Sequence, residues 1–107
     1  MFHTKTGDIM LRKKLEEWCK KNNVVERAQK CFWEHFDEFK ASKLEDFSKH
    51  EIQAIQLFVE NIRYEIHLEE KENIYLVQLY ATIGEESVGN FNVVFTENGC
   101  YKEYEIW

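Results

Sequence analysis

The sequence predicts an α+β fold in which two or three N-terminal helices pack on one face of a four-stranded antiparallel meander. Apolar residues recur at helical spacing in the first half of the chain and alternate with polar residues at strand spacing in the second. Polar and glycine-containing segments separate the alternating stretches, as turns do between strands. Helices followed by strands are typical of a domain whose helices lie on one side of an antiparallel sheet.

Residues 8–47 are predicted to form the helical layer. A first helix is expected over 9–21 and a second, longer helix over 24–40. Asn23 followed by Glu26 matches the capping box that begins many helices. Apolar residues recur every three or four positions along the second helix and would face the core. They are Val25, Ala28, Phe32, Phe36 and Phe39.

Residues 48–60 allow two predictions. Ser48 and Glu51 form another capping-box pattern, which favours a short helix over 49–57. Apolar residues in the same segment also alternate as they do in a strand. These are Ile55, Leu57 and Val59. If the second prediction holds, the segment becomes an additional edge strand of the sheet.

Residues 61–107 are predicted to form the antiparallel sheet, with strand order 1-2-3-4. The segments 70–73, 84–87 and Asn98-Gly99 separate the four strands. An Asn-Gly pair predicts a two-residue type I′ turn, because both central residues of that turn need a positive φ.

The predicted register places apolar side chains opposite one another on the face toward the helices. In the first hairpin these pairs are Leu68–Tyr75, Ile66–Val77, Tyr64–Leu79 and Ile62–Ala81. The last hairpin would pair Phe95 with Lys102, Val93 with Tyr104 and Phe91 with Ile106. On this register the side chains of Ile74, Leu76 and Tyr80 point away from the helices.

This element order resembles the layout of cystatin-like folds and of folds similar to nuclear transport factor 2, in which a curved sheet wraps N-terminal helices. The resemblance covers most of the chain and rests on element order alone. It therefore implies a layout and no site residues.

Composition and charge narrow the classes of function. The 107 residues suit one domain, 1–107, and the longest apolar runs of about four residues are too short to span a membrane. Three cysteines without a Cys-x-x-Cys motif favour a reduced compartment, so a cytoplasmic location is expected.

The two halves of the chain differ in charge. Residues 1–50 hold 11 Lys and Arg against 9 Asp and Glu, whereas residues 51–107 hold 3 against 11. An acidic sheet disfavours nucleic acid and suits a basic protein.

The outward face of the predicted sheet is the first candidate site. Its apolar and aromatic residues, rimmed by glutamates, are typical of an interaction surface. They are Ile74, Leu76, Tyr80, Val94, Tyr101 and Trp107. The leading hypothesis is a non-enzymatic interaction module that forms a homodimer through this face. A variant is an acidic inhibitor of a basic protein, as immunity proteins are for toxins.

The alternative hypothesis is an enzyme or small-ligand binder with a cavity between the second helix and the concave sheet. Its polar groups would be His35, Tyr64, Tyr75 and Tyr104. Two further pairs could carry chemistry. Cys31 with His35 could form a nucleophile or half of a metal site, and Glu65 with His67 could act in general acid–base catalysis. The sequence has no phosphate-binding loop and no known catalytic motif, so neither a cofactor nor a metal ion is expected.

Overall fold

The computed structural model describes the backbone of residues 5–107 and the side chains of residues 12–107, and it confirms the predicted α+β class. Helices precede an open antiparallel sheet with the strand order β1-β2-β3-β4. The helices are α1 (Lys5–Asn22), α2 (Val24–Glu34), α3 (Phe36–Lys43) and α4 (Lys49–Ile52). The strands are β1 (Ile55–His67), β2 (Glu72–Ile83), β3 (Glu86–Thr96) and β4 (Tyr101–Ile106).

The helix predicted over 24–40 is in fact two helices, α2 and α3. They separate at His35, whose backbone leaves the helical region with φ −110° and ψ 23°. The capping box predicted at Asn23 is also wrong. Asn23 has a left-handed φ of 50° and caps nothing with its side chain, whereas its N–H donates to the Lys20 carbonyl at 3.2 Å. A left-handed residue in this position ends the preceding helix.

Residues 48–60 contain both a helix and a strand. The Ser48–Glu51 capping box forms, with Glu51 N–H donating to Ser48 Oγ at 3.2 Å, but α4 already ends at Ile52. The helix predicted over 49–57 is therefore too long. The following residues begin β1 at Ile55 and so lengthen the first strand instead of adding a fifth.

The register predicted between the first two strands is wrong by four residues. Tyr64 pairs with Tyr75, and Ile62 pairs with Val77. A tight four-residue turn, with Lys71 at φ 53°, brings His67 opposite Glu72, and a β-bulge between Val59 and Asn61 absorbs one residue further along. An even shift keeps every side chain on its face, so the inward and outward sides remain as predicted.

The last turn is not the predicted type I′ turn. Gly99 has φ +81°, but Asn98 has a negative φ, and Gly99 N–H donates to the Thr96 carbonyl at 2.9 Å. This geometry is a three-residue loop with a glycine bulge. Val93 still pairs with Tyr104 and Phe91 with Ile106, as predicted. Phe95, however, pairs with Tyr101 and not with Lys102.

The helices pack on one face of the sheet, called the helix face here; the other is called the open face. Phe32 is fully buried at the centre of this packing, with ring centroids 4.9 Å from Phe39 and 5.4 Å from Phe91. Odd-numbered residues of β2 and β3 supply the sheet side of the core. They are Val77, Leu79, Ala81, Phe91, Val93 and Phe95.

We expect Phe32→Ala to lower the free energy of unfolding by about 3–5 kcal/mol, because the substitution leaves a cavity among well-packed rings. Chemical denaturation would measure the change. Trp33→Ala is the matched control: Trp33 is the next residue on α2 and is 50% exposed, so its loss should cost less than half as much. Equal losses in the two variants would contradict the central place of Phe32 in the core.

Candidate functional site

One end of the open face holds a small apolar cluster that neighbouring side chains of the same chain bury. Ile74, Leu76 and Val94 are only 5%, 7% and 2% exposed, and they form a cluster separate from the core under the helices. Charged residues lie opposite them in the sheet. The pairs are Ile74–Glu65, Leu76–Arg63 and Val94–Glu103. These three residues therefore offer little apolar surface to a partner.

Tyr101 lies on the helix face, so its predicted place on the outward face is wrong. The glycine bulge sets it opposite Phe95 and in a cleft beside Cys31 of α2 and the following His35. Lys102 takes the outward position instead, and its Nζ lies 2.6 Å from Glu72 Oε2. Two residues of the predicted surface lie at the other end of the open face, where Tyr80 is partly exposed and Trp107 is exposed.

That other end carries a group of neighbouring amides and carboxylates, called the amide–carboxylate cluster here. Its members are Glu60, Gln78, Asn90, Asn92 and Glu105. The bulge in β1 sets Glu60 over the sheet, where its Oε2 accepts from Gln78 Nε2 at 2.8 Å and from Asn90 Nδ2 at 3.2 Å. Glu105 Oε2 accepts from the indole N–H of Trp107 at 2.8 Å.

Asn92 is the centre of the cluster, and one of its atoms lacks a partner. It pairs with Gln78 on one side and with Glu105 on the other, and it is only 2% exposed. None of the residues that the structure describes donates a hydrogen bond to Asn92 Oδ1. A buried acceptor without a donor costs about 1–3 kcal/mol, so such an atom calls for an explanation.

Aromatic side chains flank the amide–carboxylate cluster. Phe58 and Tyr80 stack with ring centroids 5.3 Å apart, and Trp107 is 64% exposed on the opposite side. A shallow hollow of about 450 Å³ opens between Glu60, Tyr80 and Asn90. The site thus combines hydrogen-bond acceptors with exposed aromatic rings.

Sequence reasoning missed most of this cluster. The available signal was the run Asn90-Phe91-Asn92, because asparagine is disfavoured within strands and here fills two successive outward positions of a central strand. The position of Glu60 in the cluster depends on the bulge in β1, which no local sequence pattern predicts.

The four tyrosine and histidine residues of the alternative cavity do not come together. Tyr64 and Tyr75 line a groove of about 500 Å³ between α1 and β1, whereas His35 lies in a separate cleft of about 350 Å³ between α2 and β4. Tyr104 packs on His35 with ring centroids 4.2 Å apart. Between the two clefts, fully buried core side chains fill the space beneath the helices.

The Cys31–His35 pair is poorly arranged for nucleophilic chemistry. His35 Nδ1 lies 3.7 Å from Cys31 Sγ, but it also lies 2.9 Å from the Cys31 carbonyl oxygen. A carbonyl oxygen only accepts, so this bond requires the proton on Nδ1, which then cannot take one from the thiol. Burial, together with the charge of Glu34, raises the pKa of the Cys31 thiol and disfavours the reactive thiolate.

His67 and Glu65 form a hydrogen-bonded pair at 2.9 Å on the open face, at the end of the sheet away from the amide–carboxylate cluster. Glu70 Oε2 lies 3.8 Å from the other ring nitrogen of His67. Among residues that the structure describes, no group of three or more His, Cys, Asp or Glu is placed to hold a metal ion.

No protein-family model matches the chain, and comparisons with curated proteins and with solved structures give no match either. Within the described part of the chain, no helix has the length and apolar character needed to cross a membrane.

The hydroxyl of Tyr104 donates to a carboxylate oxygen of Glu38, and this bond raises the pKa of Tyr104 from 10.0 to about 12. The folded state thus holds the phenol proton more tightly than the unfolded chain. The bond's contribution to stability is complete below pH 10 and is lost as the pH rises through about 12.

We expect Glu38→Gln to lower the pKa of Tyr104, because an amide lacks the charge that favours the protonated phenol. Carbon-13 NMR of the tyrosine Cζ atoms would follow each residue through its titration. Glu34→Gln removes a carboxylate that does not contribute to the raised pKa of Tyr104 and should leave this pKa unchanged. The same Tyr104 pKa in the Glu38→Gln variant would show that the carboxylate is not its cause.

Proposed function

We propose that this chain is a non-enzymatic interaction module that captures a basic protein partner on its open sheet face, through the amide–carboxylate cluster. The single observation that carries the proposal is Asn92 Oδ1, a buried acceptor without a donor in the middle of an acidic, aromatic surface. A lysine or arginine side chain of a partner would pair with the carboxylates on either side of Asn92, and its N–H would also supply the missing donor once the side chains that cover Oδ1 move aside.

Charge supports a cationic partner. Glu60 and Glu105 stand on either side of Asn92, and the bonds to Glu60 from its neighbours all reach Oε2, which leaves Oε1 for a ligand. The cations that the structure describes on the open face, Arg63 and Lys102, belong to the other end, and Lys102 is already bonded to Glu72. An approaching cation would therefore meet uncompensated carboxylates.

The aromatic rings support the same partner. A guanidinium or ammonium group is attracted to the face of an aromatic ring, and most strongly to tryptophan. Trp107 is fixed beside the cluster, because its backbone exchanges hydrogen bonds with Asn90 at 3.0 Å and 2.9 Å. The Phe58–Tyr80 stack borders the cluster on the β1 side.

Of the two forms that the sequence leaves open, these contacts favour an inhibitor or immunity-type protein over a homodimer joined face to face. A face-to-face dimer would bring the carboxylates of Glu60 and Glu105 from both copies together, and like charges repel. A cytoplasmic location is part of the proposal and rests on the three free thiols.

An octa-arginine peptide is the probe, with octa-lysine and octa-glutamate peptides for comparison. We expect the chain to bind octa-arginine in isothermal calorimetry and the Glu60→Gln/Glu105→Gln variant to bind it about tenfold more weakly or worse. The loss of two charge-assisted hydrogen bonds accounts for that size of effect. Added salt should weaken the wild-type complex.

The matched control is Glu45→Gln/Asp46→Asn, which removes the same charge from the exposed turn between α3 and α4. This variant should bind octa-arginine as the wild type does. Equal weakening by both double variants would mean that net charge alone attracts the peptide, and it would overturn the proposed site. Absence of octa-arginine binding by the wild type would do the same.

A further inference from the structure

Strand β1 presents a long, free edge of the sheet. It spans 13 residues and pairs with β2 along one side. At its other side, none of the described residues makes a backbone hydrogen bond with positions 55–67. An unpaired edge of this length is a template for another strand unless something covers or blocks it.

The helix-face side of the same strand is unusually apolar for an exposed edge. Ile66 is 63% exposed and Leu68, just beyond the strand, is 83% exposed, while Ile62 and Tyr64 are each more than a third exposed. Together with the free edge, this row offers both the backbone and the side-chain contacts that strand addition uses.

We propose that a second copy of this chain pairs with it along β1, antiparallel, with Tyr64 opposite Tyr64 of the second copy. Two-fold symmetry about this pair would join the two sheets into one of eight strands. The inference goes beyond the proposed function, since it concerns the edge of the sheet and not its open face.

The length of the regular segment fixes the centre of the pairing. Between the bulge at Glu60 and the turn after His67, β1 has seven regularly paired residues, 61–67, and Tyr64 is the middle one. Only a pairing centred on Tyr64 uses the whole segment of both copies.

Charge selects the same register. Pairing centred on Tyr64 sets Arg63 of each copy opposite Glu65 of the other, which gives two opposite-charge pairs on the open face. Moving the centre by one residue would set Arg63 opposite itself or Glu65 opposite itself. Like charges directly opposite each other are destabilising, so the neighbouring symmetric registers are disfavoured.

The register also covers the exposed apolar row. Ile66 of one copy would lie opposite Ile62 of the other, and Ile62 lines the groove of about 500 Å³ between α1 and β1. Leu68 would extend toward the same groove. The two most exposed aliphatic side chains near this edge would thus be buried against an apolar surface already present in each chain.

Sedimentation velocity with a charge swap tests the proposal. At about 0.1 mM the wild-type chain should sediment as a dimer, as a dissociation constant in the micromolar range or below would give. Arg63→Glu and Glu65→Arg should each raise the dissociation constant about tenfold, because each places two like-charge pairs in the interface. The double variant Arg63→Glu/Glu65→Arg restores opposite charges and should dimerise as the wild type does.

Glu103→Arg is the control, because it changes a charge on the same face of the sheet but on β4, away from the β1 edge. It should leave the dissociation constant unchanged, and circular dichroism should show all variants folded. A monomeric wild type, single variants that dimerise normally, or a double variant that stays monomeric would each overturn the proposal. Octa-arginine affinity per chain should be the same in monomer and dimer. Failure of the dimer test would therefore leave the proposal for the open face intact, and the reverse also holds.

Discussion

The packing of α2 and α3 on one side of the sheet, centred on Phe32, is the constraint on which the rest of the structure depends. Because strand side chains alternate, burying Leu79 and Phe91 under the helices obliges their neighbours to face the other way. The described helices do not contribute to the apolar cluster on that side. The open face must therefore be stabilised from within the sheet, and its two ends do this differently.

At one end, apolar side chains are buried between charged neighbours, and the bond from Lys102 to Glu72 spans the strands beside them. At the other end, polar side chains bond to each other. Irregularities of the backbone at both ends decide which side chains lie on the open face. The bulge in β1 sets Glu60 over the face, and the glycine bulge after Gly99 turns Tyr101 away from it. Small deviations from regular pairing thus determine what a partner would meet.

The difference between regular strand pairing and its irregularities also explains how much could be predicted from the sequence. The spacing of apolar residues and the composition of turns are local properties of the sequence. They therefore identified the fold class, the strand order and the outward side of residues such as Leu76. Register depends on the turn conformation and on bulges, which involve residues distant in sequence, and there the predictions failed at Tyr64 and at Tyr101. Whether an outward residue is exposed depends on its cross-strand neighbours, and Leu76 proved buried for this reason.

Asn92 is the residue of the open face whose identity stability explains least. A leucine of similar shape would satisfy the burial and remove an unpartnered acceptor, so stability alone does not explain an asparagine there. The most direct measurement is the affinity of an Asn92→Leu variant for octa-arginine by isothermal calorimetry. If Asn92 receives a cationic side chain, the variant should remain folded and bind about tenfold more weakly or worse. An unchanged affinity in a folded variant would contradict the proposed role of this face.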